Sequence, residues 1–150
     1  MYNVLKLDNN VKGRIAEEIA IHLINRGVRC KTRNSNIIDE FPIKEELRNF
    51  LKKYWYYFDI IRFNEVNRVI EIYEVKSRKW VRDRKAHWKK YAINPYCLEM
   101  YKTAIKNGMV VRIFDIAFLS NWNFSYTIKL FDEKLFSVSK SRGQGSNKRG

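Results

Sequence analysis

At 150 residues and 45% hydrophobic content, the chain suits one domain built round a single core. Its 30 Lys and Arg against 16 Asp and Glu leave a net charge of +14, which points to a polyanionic partner. There is no apolar run of about 18 residues, and the opening MYNVLKLDNNVKGR is too mixed and polar for a signal peptide, so a soluble cytoplasmic protein without membrane attachment is expected.

In chain order, the first expected element is a helix from about Asn10 to Arg26, with Asn9 or Asn10 as cap and Gly27 as stop. Ile15, Ala16, Ile19, Ala20 and Leu23 recur at helical spacing and form its core face. Glu17 and Glu18 flank that face at similar angles. Glu18 stands in line with Arg14, His22 and Asn25, where an i, i+4 pair with Arg14 is its expected role. Glu17 lies among Ala20, Ile21 and Ile24, with few local partners, and would gain from a cation. Glu17 is therefore the functional candidate. Val28 to Arg33 then reads as a short basic strand, and Arg33-Asn34-Ser35-Asn36 as a polar loop.

Pro42 to Lys53 is expected to be a helix whose apolar stripe, Ile43, Leu47, Phe50 and Leu51, covers the sheet or meets another subunit. A strand from about Tyr54 to Phe63 follows, with alternate rings of its aromatic run packing inward. The turn Asn64 to Asn67 joins it to a second strand, Val69 to Lys76, as an antiparallel hairpin. Alternation puts Ile70, Ile72, Glu74 and Lys76 on one face of that strand and Val69, Glu71, Tyr73 and Val75 on the other. A carboxylate and an ammonium leaving an apolar strand together, next to Asp59 on the neighbouring strand, are costly to desolvate unless they bind something. A divalent cation would explain them.

From Lys76 to Lys90 the chain is dense in Lys and Arg, interleaved with Trp80, His87 and Trp88, and reads as a segment that tracks phosphates. Pro95 to Lys106 is expected to be a helix, with Leu98, Tyr101 and Ile105 inward, Lys102 and Lys106 outward, and Asn107-Gly108 as its end. Met109 to Leu119 and Phe124 to Phe131 are two further strands. Residues 1–136 thus form the folded domain, and 137–150, rich in Ser, Gly, Lys and Arg, a disordered basic tail adding phosphate affinity. Cys30 and Cys97 are far apart with no CxxC, and His22 and His87 are isolated, so no zinc site is expected. Neither a Ser/His/Asp pattern nor a phosphate-cradling glycine loop occurs, so no nucleotide cofactor is expected.

Asp59 followed by Glu74-Val75-Lys76 resembles the signature of the PD-(D/E)XK nuclease superfamily, with Phe58 in place of its proline. Lys12-Gly13, Glu17 four residues after the glycine, Leu23, Gly27 and the basic stretch after it resemble the opening of the archaeal Holliday junction resolvases in that superfamily. The resemblance runs from about Lys12 to Leu119. It implies an α/β, restriction-endonuclease-like fold, a mixed central sheet flanked by helices. It further implies a metal-dependent DNA endonuclease, acting on four-way or other branched DNA and leaving a 5′ phosphate and a 3′ hydroxyl.

In that likeness Asp59, Glu74 and the Val75 carbonyl hold Mg²⁺, with Mn²⁺ as substitute, Glu17 completes the site, and Lys76 lies beside the attacking water. The helix start at Lys12, Gly13 and Arg14 faces the DNA backbone, as do Arg33 and Ser35 in the following loop. Arg78 and Lys79, then Arg82, Arg84 and Lys85, track the DNA. Tyr96 falls near the place where many relatives carry a glutamine. Two symmetric cuts would need a homodimer. The small size and the Ile, Lys, Asn and Tyr richness, beside this likeness, suggest a virus or plasmid of a thermophilic archaeon, with the protein acting in host cytoplasm. Two other readings stay open: a nuclease for flaps, single strands or linear duplex, and a DNA-binding protein without catalysis.

Overall fold

The computed structural model describes residues 7–80 and 90–138. They form an α/β protein with a five-stranded mixed sheet and flanking helices. Helix α1 (Asn9–Leu23) is capped not by Asn9 or Asn10 but by Asp8, whose side chain accepts the Asn10 N–H at 2.7 Å and so satisfies one of the free amides of the first turn. The left-handed residue after the helix is Arg26 (φ 60°) rather than Gly27. Gly27 is needed for a different reason: a Cβ there would sit 3.0 Å from methyls of both Ile24 and Ile60, where the chain turns tightly under the sheet.

Strand β1 is only Val28–Arg29, and Cys30–Thr32 turns into a 3₁₀ segment instead of continuing the expected strand. A second 3₁₀ segment, Ser35–Glu40, leads to helix α2 (Glu45–Lys53). The aromatic run then departs from expectation. Trp55–Tyr57 is a 3₁₀ turn, and strand β2 begins only at Ile60 and ends at Asn64. Trp55 and Phe58, three apart, are both fully buried, while Tyr56 and Tyr57 face outward. The Trp55 indole N–H donates to the Arg33 carbonyl at 2.7 Å, which ties this turn to the 30–34 segment.

Strand β3 (Val69–Lys79) pairs antiparallel with β2, with Asn64 opposite Val69 and Ile60 opposite Tyr73, as the hairpin reading requires. Arg68 supplies the positive φ at the turn. Helix α3 (Pro95–Lys106) has the predicted bounds; Asn94 caps it and Pro95 occupies its first turn. Strand β5 (Val110–Phe118) lies parallel to β3 and antiparallel to β6 (Phe124–Leu130), giving the order β1-β2-β3-β5-β6. Two short strands, β4 (Tyr91–Ile93) and β7 (Phe136–Val138), form a separate parallel pair. Residues 137 and 138 therefore belong to the folded domain, not to a tail; 139–150 lie outside the described residues.

Pleating sorts the two faces. One carries Ile60, Tyr73, Phe114, Ile116 and Phe118, against which α1 lays Ala16, Ala20 and Ile24. Small residues let α1 approach closely. The other carries Ile61, Ile70, Ile72, Val111 and Ile113 under Leu51 of α2 and Leu98, Tyr101 and Ala104 of α3. The apolar stripe of α2 therefore covers the sheet: Leu51 is buried, with Ile43, Leu47 and Phe50 packed round it. Ile105, expected inward, is 42% exposed, because the inner face at this end of α3 passes to Ala104.

Candidate functional site

The register of the hairpin builds the site. Ile60 is the last residue of β2 paired with β3 on that side, opposite Tyr73. One step further along the same register, Asp59 comes opposite Glu74. With no strand partner of its own there, the Val75 N–H finds the Asp59 carboxylate: it donates to Oδ2 at 2.8 Å. Asp59 also fixes the preceding chain, since its carbonyl accepts the Cys30 N–H. Asp59 is buried, its side chain 10% exposed. Burial pushes its pKa up, the facing Glu74 carboxylate adds to this, and Lys31 opposes it, leaving Asp59 at about 7.

Glu17 reaches the same place from α1. It is buried, as its apolar neighbours on the helix suggest, but it is not short of partners. Arg29 Nε donates to Oε1 at 3.2 Å and Lys31 Nζ to Oε2 at 2.9 Å. Glu18 is exposed and pairs with Arg29 at 3.1 Å rather than with Arg14. Lys31 Nζ also donates to Asp59 Oδ1 at 3.1 Å, so a single ammonium joins Glu17 to Asp59. Burial works against that charge, but Asp59 foremost, with Glu17, holds the Lys31 ammonium well above its ordinary range.

Glu74 and Lys76 share a face, as alternation predicts, and it is the face under α3. The Tyr101 hydroxyl donates to Glu74 Oε1. Lys76 Nζ lies 3.4 Å from Glu74 Oε2 and donates to the Ala92 carbonyl of β4 at 3.0 Å. Cys97, half-buried nearby, has its thiol pushed up to about 11, by burial first and Glu74 next, so at neutral pH it offers no thiolate.

The predicted residues thus form a chain of contacts, Glu17 to Lys31 to Asp59, with Glu74 facing Asp59 and Lys76 beside Glu74. They do not close into a cage. Among the described residues, no three His, Cys, Asp or Glu side chains gather tightly enough to hold a metal. The Lys31 ammonium instead lies where two carboxylates converge, and its position is that of a cation with oxygen ligands. In their chemistry the donors fit a hard ion such as Mg²⁺: carboxylate oxygens and a main-chain carbonyl, with no soft ligand.

The predicted DNA-facing residues are dispersed. Gly13 is not ahead of the helix but its fifth residue, so its amide lies within α1 and is not a free N-terminal donor; Lys12 is half-exposed and Arg14 exposed beside it. Arg33 is exposed at the end of the 3₁₀ turn and Ser35 half-buried at the start of the next. Lys79 is exposed at the end of β3. Arg78, by contrast, is committed inward: its Nε donates at 3.1 Å to Asp115, a buried carboxylate of β5 that also accepts from the Tyr91 hydroxyl. Arg82, Arg84 and Lys85 lie outside the described residues.

Lys31, Tyr101 and Asp115 were not singled out by the sequence. None had a local signal for its partner: Lys31 lies in a 3₁₀ turn rather than in the expected strand, so alternation with Arg29 does not predict that both reach Glu17. No protein-family model matches the chain, and no curated protein or solved structure matches it significantly. No helix among the described residues is long and apolar enough to cross a membrane.

Proposed function

We propose that this protein is a metal-dependent DNA endonuclease with a restriction-endonuclease-like core, acting on branched DNA, with four-way junctions as the favoured substrate. The observation that carries the reading is the meeting of Asp59 and Glu74 at the open end of the β2–β3 ladder. Lys76 stands on Glu74's face, and Glu17 is tied to Asp59 through a shared ammonium. Three acids, from α1, from the residue just ahead of β2 and from β3, would have little reason to face a common region in a purely structural sheet, because each like charge raises the free energy of its neighbours.

Asp59, Glu74 and the Val75 carbonyl would hold Mg²⁺ or Mn²⁺, with Glu17 completing the set. The bound ion would supply Lewis acidity and charge neutralisation at the phosphate. Lys76, held between Glu74 and the Ala92 carbonyl, would orient a water and face the negative charge that develops on phosphate oxygens. The Tyr101 hydroxyl fixes one oxygen of Glu74 and so sets the carboxylate's orientation. Lys79 and the +14 charge provide sequence-independent phosphate attraction. A homodimer with two such sites would match a two-fold substrate.

One observation favours a second reading, a DNA-binding protein without catalysis: no three acids among the described residues close on a metal-sized point. Cleavage of a four-way junction and of linear duplex of the same sequence, with Mg²⁺ or Mn²⁺, separates the readings. The proposal expects junction cleavage, abolished by Asp59→Asn with binding retained. Equal rates on duplex would remove the junction preference, and no cleavage with either metal would leave the binding protein.

A further inference from the structure

Every oxygen of Glu17 and Asp59 already has a partner. Glu17 Oε1 accepts from Arg29 and Oε2 from Lys31; Asp59 Oδ1 accepts from Lys31 and Oδ2 from the Val75 N–H. Each oxygen keeps a second lone pair, but a divalent ion bridging Glu17 Oε2 and Asp59 Oδ1 would stand where the Lys31 ammonium stands, so one of the donors around these acids has to yield. The Val75 amide is main chain within β3 and cannot leave without breaking the ladder. Arg29 is only 18% exposed and is held by a second carboxylate, Glu18. Lys31 is the one that can go. Its side chain is 52% exposed, its stem is flexible, and it projects from a short 3₁₀ turn beside solvent.

We propose that Lys31 is a tethered counter-cation: it holds Glu17 and Asp59 together in the metal-free protein and competes with the divalent ion for the same two carboxylate oxygens, so that it sets metal affinity. This rests on the nuclease reading of the site and adds a residue to it. Without Lys31, two buried carboxylates would face each other and Glu74 with only Arg29 on Glu17 and the Val75 amide on Asp59 to offset them, and the α1–β1 corner would loosen. With it, the corner stays assembled, and a metal is admitted only as the ammonium swings into solvent. Lys31 thereby acts as a positioning residue, and it works against loose binding of the ion in the absence of substrate.

The test is Mn²⁺ titration of the full chain by calorimetry, for the wild type, Lys31→Gln and Lys31→Arg, with melting temperatures alongside. A site closed nine times in ten weakens apparent affinity about tenfold, so Lys31→Gln should bind Mn²⁺ on the order of tenfold more tightly. Lys31→Arg, whose fork can hold both carboxylates at once, should bind more weakly than wild type. Lys31→Gln should also melt lower without metal and recover when saturated with Mn²⁺.

Unchanged or weaker Mn²⁺ binding by Lys31→Gln overturns the inference while the wild type's own binding upholds the metal site. Should Lys31→Gln not fold even with Mn²⁺, the arginine variant decides: affinity equal to or above wild type overturns the inference. Absence of Mn²⁺ binding in all three proteins overturns the inference and the metal site together.

Discussion

Replacing Arg78 by methionine separates a structural role from a DNA-contacting one. The Arg78 Nε lies 3.1 Å from Asp115 Oδ1; the Asp115 side chain is 1% exposed and that of Arg78 27%. Among the described residues Lys129 is a second cation nearby, 4.0 Å from Asp115 Oδ2, and the Tyr91 hydroxyl donates to that same oxygen. Removing one partner of a fully buried pair costs about 3–5 kcal/mol. Partial exposure of Arg78 and the surviving Tyr91 bond reduce this to roughly 2–3 kcal/mol. For a protein of this size that lowers the melting temperature by about 5–10 °C.

Differential scanning calorimetry of Arg78→Met, Asp115→Asn and the double variant reads it directly. The double variant should be more stable than the sum of the single losses predicts, by about 1–2 kcal/mol, since removing the stranded charge relieves its desolvation. Lys79→Met, one residue on and exposed, should leave the melting temperature within about 1 °C and weaken DNA binding instead. If Arg78→Met behaved as Lys79→Met does, with unchanged stability and weaker DNA binding, the inward assignment of Arg78 would be wrong.

Two further outcomes follow from the packing and from Asp59. Leu51→Ala should destabilise the monomer by about 2–5 kcal/mol, because Leu51 is fully buried between α2 and the sheet within one chain; a loss that depends on protein concentration would instead point to a subunit contact. Asp59, raised to about 7 by burial and Glu74, binds a proton in the folded protein that the unfolded chain releases near pH 4. Its contribution to stability is thus full below about pH 4 and is lost as pH rises through about 7. Chemical denaturation of the metal-free protein across this window should show the decline, and Asp59→Asn should flatten it.

The parts of the fold governed by a simple period were legible in the sequence. Alternation along β3 placed Glu74 and Lys76 together, and Pro95 at the start with Asn107-Gly108 at the end bounded α3. The antiparallel hairpin followed from the turn at Asn64 to Asn67, although the pairing extends one residue further than read, to Asn64 opposite Val69. The aromatic run Tyr54 to Phe58 was read as strand because its residues have strong β-propensity, yet burying Trp55 and Phe58 on one side requires a spacing of three. Tertiary packing overrode local preference there. Glu17 was read as a functional acid because of its apolar neighbours on α1; it is buried, but its partners could not be read, because Arg29 and Lys31 reach it from a chain that turns sharply at Cys30. Pairs such as Arg78 with Asp115, and Tyr101 with Glu74, join residues far apart in sequence and depend on the parallel pairing of β3 with β5 and on how α3 crosses the sheet. Neither has a local signature.

Anomalous diffraction from a crystal soaked in Mn²⁺ tests the central claim most directly. The account predicts one strong peak against the Asp59 and Glu74 carboxylates and the Val75 carbonyl, with the Lys31 ammonium withdrawn from Asp59. Density that stays absent at saturating Mn²⁺, or that lies only on acids remote from β2 and β3, would contradict it.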